Sequence, residues 1–356
     1  DWEVSPEVWP HGLEPLADTV RGLGMEFGLW VEPEMVNLDS DLARAHPDWV
    51  LGPSGRRPLA VRHQQVLNLA HPDAYAHIAA RLTDLVERLG IAYLKWDHNR
   101  DLIEAVGPHG ERLVHAQTTA YYRLLDQLHA RFPQLEIESC SSGGGRVDLG
   151  VLVRTDRIWT SDCNDALERQ QIQRWTGLLV PPEMMGAHIG PPRAHTTGRT
   201  HDLAFRAGTA LFGHLGIEWD LASATEEELE ELAWWIAWYK DHRKRLLAGR
   251  LVRVSMPDPG VWFKGVVNEM GGIYSLSVLE ATPAVNLGVL RFPGLEPGSR
   301  YQVRVIERPA LAWAHQVPWL NAGHPLELTG AQLKDIGLRA PVLRPSTTIL
   351  FVVTKI

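Results

Sequence analysis

The chain has 356 residues, 45% of them hydrophobic and 22% charged, with a net charge of −8. That length holds two or three domains of roughly 150 residues, or one β/α barrel with a smaller partner domain. The composition excludes a membrane span (no uncharged apolar run of ~18 residues), a disulfide scaffold (Cys140 and Cys163 only) and a nucleic-acid binder (35 basic residues with no stripe).

From Leu13 to Leu247 short apolar runs alternate with amphipathic stretches, the pattern of repeated β/α units. Strands are predicted at Met25–Val31, Gln65–Leu69, Ile91–Trp96, Glu136–Cys140, Arg157–Ser161, Met184–Ile189 and near Leu211–Ile217. Helices are predicted between them at Leu13–Leu23, Asp73–Leu89, Glu111–Arg131, Ala166–Trp175 and His201–Gly208. In the second of these, Asp73 caps the start, Ile78, Leu82, Leu85 and Leu89 share a face, and Gly90 is the stop. The longest helix opens with Ser223-Ala-Thr-Glu226, read as a capping box. Its acids come first (Glu226 to Glu231) and its bases last (Arg243 to Arg245), which suits the helix dipole.

After Gly249 the texture changes to strands with turns: Leu251–Ser255, Trp262–Val267, Ile273–Leu279, Tyr301–Ile306 and Thr348–Val353. The fold class is therefore α/β. A (β/α)8 TIM-type barrel at 1–247 is followed by a C-terminal antiparallel β-sandwich domain at 248–356. The barrel region offers seven strands where eight are needed, so the first strand is expected before Asp1. No signal-peptide pattern opens these residues, and two cysteines suit a reducing, cytoplasmic setting.

In such a barrel the chemistry sits where the strands end. Strand two ends in Trp30-Val-Glu-Pro-Glu34, and Arg62 precedes the third segment. Strand four ends in Lys95-Trp-Asp-His-Asn-Arg100, strand five in Glu138-Ser-Cys-Ser-Ser-Gly143-Gly144-Gly145, and strand six in Trp159-Thr-Ser-Asp162. Lys95 and Asp97, two apart on a strand, share a side, so the ammonium is expected to hold the carboxylate ionised. Spacing alone equally allows a structural pair tying strand four to its neighbours. Asp162 faces Asp97 across the mouth, and two such carboxylates suit acid/base and nucleophilic work on a glycosidic bond. Gly143 to Gly145 allow a close approach to a ligand or a plain tight loop. Trp30 and Trp96 are either sugar-stacking walls or core. Sixteen histidines show no HxH or HExxH spacing, and no GxGxxG follows a strand, so neither a metal nor a dinucleotide cofactor is expected.

Taken in order, Trp30-Val-Glu-Pro-Glu-Met-Val-Asn37, Lys95 to Arg100, Glu138 to Gly145 and Trp159 to Asp162 resemble the glycoside hydrolase family 36 α-galactosidases. The resemblance runs over essentially the whole chain. It implies a retaining, exo-acting hydrolase that removes terminal α-galactose from raffinose-family oligosaccharides or melibiose, with no metal or organic cofactor. By motif, Asp97 is the nucleophile and Asp162 the general acid/base, with Asp165 the competing choice. Trp30, Arg62, Lys95, Asn99, Cys140, Gly143, Gly144 and Asp165 fall at substrate-binding positions. The parent is expected to be a homo-oligomer. A galactosyltransferase of the raffinose- or stachyose-synthase type and an inactive fragment are the alternatives. The sequence departs from the family at His63, where Asn is usual, and at Asn68, where Asp is usual. An N-terminal β-sandwich and a first barrel strand ending in an aspartate pair are expected upstream.

Overall fold

The computed structural model describes residues 1–283, 286–306, 317–321 and 325–356. Its backbone forms two compact units, Asp1–Asp162 and Cys163–Ile356. The change from alternating helices and strands to antiparallel strands falls between Leu247 and Arg250.

The first unit runs α1 (Glu14–Gly22), β1 (Gly28–Val31), β2 (Met35–Val36), α2 (Asp41–Ala45), β3 (Gln65–Val66), α3 (Pro72–Leu89), β4 (Tyr93–Trp96), α4 (Val114–Arg131), β5 (Glu136–Ser139), α5 (Leu149–Leu152) and β6 (Arg157–Trp159). Strands β1, β4, β5 and β6 pair in parallel in that order. The register sets Trp30 beside Lys95 and Lys95 beside Glu138. Helix α3 forms because Ile78, Leu82, Leu85 and Leu89 recur on one face and are all buried. Each such side chain contributes about 1.5–3 kcal/mol relative to exposure. Pro72 starts the helix and Gly90, at φ 58°, ends it in the left-handed region. The cap is His71, whose Nδ1 accepts from the Asp73 N–H, so Asp73 stands in the first turn and not at the cap.

The predicted third strand is corrected. Only Gln65–Val66 is extended, and it pairs antiparallel with Met35–Val36, so β1 bonds directly to β4. The residues after it bury their side chains without entering the parallel sheet. Leu67 N–H donates to the Glu34 carbonyl at 2.8 Å, and Leu69 N–H donates to Gln117 Oε1 at 2.8 Å. An apolar run cannot distinguish a sheet strand from a buried connector of this kind.

The second unit begins with α6 (Ala166–Thr176), β7 (Met185–Ile189), α7 (Leu203–Ala210), β8 (His214–Ile217) and α8 (Glu226–Leu247), with β7 and β8 parallel. The capping box of α8 is Thr225 with Glu228, two residues later than predicted. Ser223 instead closes a short turn, Leu221–Ser223, capped by Asp220. Then come β9 (Arg250–Val254), β10 (Val261–Asn268), β11 (Gly271–Val278), β12 (Val289–Leu290), β13 (Arg300–Val305), β14 (Leu326–Thr329), β15 (Leu338–Arg339) and β16 (Thr347–Lys355). The antiparallel order is β14-β13-β16-β11-β10-β9, with β12 and β15 as a separate pair. Phe263, Tyr274, Phe292 and Phe351 fill the core between these layers, mostly edge to face. The order of elements is that of a barrel-like α/β domain followed by a β-sandwich.

Candidate active site

The rim of the first unit is built where its parallel strands stop. Asp97 directly follows β4, and its N–H still donates to the Val31 carbonyl of β1 at 2.8 Å, which fixes the carboxylate at the strand end. Cys140 directly follows β5 and donates its N–H to the Trp96 carbonyl at 2.7 Å. Asp162 lies three residues past β6. The two aspartates therefore stand on strands separated by β5 and its glycine-rich loop.

The Asp97 carboxylate is almost wholly supplied with donors. Its Oδ2 accepts from Trp30 Nε1 at 3.1 Å and from Asn99 Nδ2 at 2.8 Å, and its Oδ1 accepts from the His98 N–H at 2.8 Å. Burial opposes ionisation here, but the bonds from Asn99, Cys140, Trp30 and His98 outweigh it and hold the carboxyl below its ordinary range. Burial and the nearby Asp97 charge push the Cys140 thiol up to about 12, so Cys140 acts as a protonated donor. Trp30 is 48% exposed, so its ring presents an apolar face at the rim while its N–H is tied to Asp97.

Several predicted partnerships differ. Lys95 does not pair with Asp97: its ammonium lies 3.6 Å from Glu138 Oε1 and 4.3 Å from the centroid of the Trp159 ring. Asn99 is buried and fully engaged, with its N–H on Glu32 Oε1 at 3.1 Å and its Oδ1 accepting from Ser142 at 3.3 Å. It positions Asp97. Arg62 stands at the exposed tip of a two-residue turn closed by reciprocal Val61–Gln64 bonds of 3.3 and 3.0 Å. Both tip residues have positive φ, 54° at Arg62 and 61° at His63. Two consecutive left-handed residues are what a tight two-residue turn between antiparallel partners requires. Asn37 Nδ2 anchors the turn by donating to the His63 carbonyl at 3.0 Å.

Asp162 is exposed, and its Oδ1 accepts from Trp159 Nε1 at 3.0 Å. The glycines after Cys140 approach this segment and not empty space. A Cβ on Gly143 would lie 2.7 Å from Ser161 Cα, and one on Gly144 would lie 2.8 Å from the Thr160 carbonyl oxygen. Gly143 also has φ 84°. Gly143→Ala is therefore expected to push the β5 loop off the Asp162 segment. A displacement near 1 Å lowers kcat/KM by about 100-fold, read with an aryl α-glycoside substrate; an unchanged value would refute the packing role.

Asp165 is fully buried in the second unit, contrary to its reading as a substrate contact or rival acid. It caps α6 through the Leu167 and Glu168 N–H groups and also receives Thr197, Arg199 and His201. The sequence signal was present, since Asp165-Ala-Leu-Glu168 is itself a helix-start pattern. In the same unit Cys163 Sγ lies 3.2 Å from Thr196 Oγ1.

The Glu34–Arg146 pair carries no local sequence signal. Glu34 is 1% exposed, lies 2.9 Å from Arg146 Nη2 and accepts from Trp96 Nε1 at 2.9 Å. Burial disfavours its charge, yet the Arg146 guanidinium and His98 hold its carboxyl below the ordinary range. Arg146 also stacks 3.8 Å above the Tyr121 ring centroid. The pair ties the segment after β1 to the loop after β5. Glu34→Gln leaves a buried guanidinium unpaired and is expected to cost about 3–5 kcal/mol. Urea unfolding measures it, and an unchanged midpoint would show that the pair contributes nothing.

A sequence profile of the Melibiase family matches residues 1–249. An α-galactosidase from Escherichia coli is 44% identical over 365 residues, covering 100% of this chain and 51% of its own length. The α-galactosidase AgaA of Geobacillus stearothermophilus is 36% identical over 311 residues, or 85% of this chain and 43% of its own. Among solved structures, the Lactobacillus brevis α-galactosidase aligns with a TM-score of 0.90 at 32% identity, over 100% of this chain and 48% of its own. A family 36 AgaA from Geobacillus stearothermophilus in complex with raffinose gives 0.89 at 31% identity, with the same coverage. The chain thus spans about half the length of the curated relatives it matches.

Proposed function

The chain belongs to the Melibiase family, and we propose that it carries the catalytic part of a retaining exo-α-galactosidase acting on raffinose-family oligosaccharides. The observation that carries this reading is the Asp97 carboxylate, held ionised by Trp30, Asn99, Cys140 and the His98 N–H beside an exposed indole face. A carboxylate kept charged in a largely buried setting, with an apolar ring against it, is what attack on a sugar C1 requires.

In the first step Asp162 donates a proton to the glycosidic oxygen as Asp97 attacks C1 from the opposite face. The C1–O bond breaks, the aglycone leaves as an alcohol, and a β-galactosyl ester forms on Asp97. In the second step Asp162, now ionised, takes a proton from water, which displaces Asp97 and releases α-galactose. Trp30 stacks on the sugar and, through its N–H, shares the charge left on Asp97 when the ester breaks. The Gly143–Gly144 packing keeps the loop carrying Cys140 close to Asp162.

The test is turnover of an aryl α-galactoside by this chain and by Asp97→Ala. Release of aglycone by the first and not by the second supports the reading, and equal rates refute it. Raffinose incubated alone at high concentration separates hydrolysis from transfer: free galactose supports hydrolysis, and a tetrasaccharide, formed when a second raffinose accepts the galactosyl group and sucrose leaves, supports a transferase.

A further inference from the structure

The second unit holds a cavity of about 380 Å³, formed where the end of α6 meets β9 and β10. Its wall carries three cations, Arg174, Arg253 and Lys264, against a single carboxylate, Asp258. Asp258 is turned to its own loop, where its Oδ1 accepts from the Gly260 N–H at 2.8 Å. Lys264 and Arg253 stand directly opposite each other on the antiparallel β10–β9 pair. Like charges in that relation repel, and nothing described beside them offsets it.

Lys264 reaches only the Phe212 ring, at 4.8 Å. Burial, with Arg253 and Arg174 adding repulsion, brings its ammonium down to about 8, so it is still mainly charged at neutral pH. Arg174 stacks 4.1 Å from the Trp262 ring centroid, and Arg253 donates to the Gly177 carbonyl at 2.6 Å. Both guanidinium groups therefore keep donors to spare. The wall also supplies one neglected acceptor: Gln173 donates its Nε2 to the Thr209 carbonyl, but its buried Oε1 has no hydrogen-bond partner. Clustered cations, spare polar groups and a volume within the ordinary range for small-molecule pockets describe a site built for an anion that also carries hydroxyls.

We propose that this cavity binds a phosphorylated sugar or polyol, its phosphate on Lys264, Arg253 and Arg174 and its hydroxyls toward Gln173. A phosphate monoester brings close to two negative charges on a compact head, which matches the local excess of cations. The skeleton then lies along Phe212 and Trp262. Nothing in this inference depends on the reading of Asp97 and Asp162.

The test is thermal melting and titration calorimetry of the whole chain with glucose 6-phosphate, inorganic phosphate, free glucose and sodium chloride at matched ionic strength. Glucose 6-phosphate at about 100 times its Kd is expected to raise the midpoint by roughly 3–8 °C. Inorganic phosphate is expected to act more weakly, and glucose and chloride not at all. Lys264→Met is expected to melt no lower than wild type without ligand, because it removes a like-charge contact, and to bind glucose 6-phosphate at least about tenfold more weakly. Should Lys264→Met fail to fold, Arg253→Gln, at an exposed position, is read for the same loss of binding. Equal responses to chloride and phosphate, equal binding of glucose and its phosphate, or unchanged binding by the variants would each overturn the proposal.

Discussion

Asp97→Gly is expected to lower kcat/KM for an aryl α-galactoside by about 10⁴-fold or more, and sodium azide is expected to restore part of the rate by forming β-galactosyl azide. The glycine removes the attacking carboxylate and leaves a space beside C1. Azide enters that space from the face Asp97 occupied, so a single displacement on an α-galactoside gives the β-azide. Formation of the α-azide, or no response to azide with a folded protein, would remove Asp97 from the nucleophile's role. Asp97→Asn is a poorer probe despite its similar shape. Trp30, Asn99 and His98 already point donors at both oxygens, so an amide NH2 must face a donor whichever way it turns. That loss costs about 1–3 kcal/mol of stability and would mix folding with catalysis.

The same donors set a pH dependence. Because the folded Asp97 carboxyl lies below its ordinary value, its contribution to stability is present above about pH 3.9 and is lost as pH falls through the lower, folded value. Activity that needs the carboxylate follows the same sign. The acid limb of kcat/KM is therefore expected below about pH 4, measured over the range in which the near-ultraviolet circular dichroism is constant. Loss of activity centred well above that pH would mean that the four donors do not outweigh the burial of the carboxylate.

The positions of the candidate residues were legible in the sequence to a greater degree than their partners. Alternating β/α texture places Trp30, Asp97, Cys140 and Asp162 at strand ends without reference to any contact. Lys95 shows where such reading stops. Residues two apart on a strand share a face but stand about 6.6 Å apart, whereas neighbouring strands are only about 4.8 Å apart. The lysine therefore turns across β5 to Glu138 and not along its own strand to Asp97. Glu34 and Arg146 are 112 residues apart, and no local pattern links them. Asp165 is the opposite case: its local helix-start signal is complete, and its closeness to Asp162 in the chain says nothing of its burial at the start of α6. Gln65–Leu69 failed because burial was legible and hydrogen-bonding direction was not.

Asp162→Ala is expected to reduce kcat/KM unequally, by about 10²–10⁴-fold for raffinose and by much less for a dinitrophenyl α-galactoside. The sugar aglycone of raffinose leaves poorly unless its oxygen is protonated as the bond breaks, so its reaction depends on the donor. A dinitrophenolate leaves without help, and its first step survives the loss of Asp162. The second step then becomes limiting, because no carboxylate remains to take the proton from water, and the galactosyl ester on Asp97 accumulates. A burst of aglycone followed by a slow steady state is the expected trace, and azide is expected to speed the slow phase, since an anionic nucleophile needs no general base. In that case azide displaces the Asp97 carboxylate from the β-galactosyl ester with inversion, and the product is α-galactosyl azide, the opposite anomer to that from Asp97→Gly. The two variants thus assign the two roles by stereochemistry as well as by rate. Equal losses on both substrates, with no burst, would place the proton donor elsewhere. Asp165 is a poor replacement, because its buried carboxylate already caps α6 and receives Arg199 and His201.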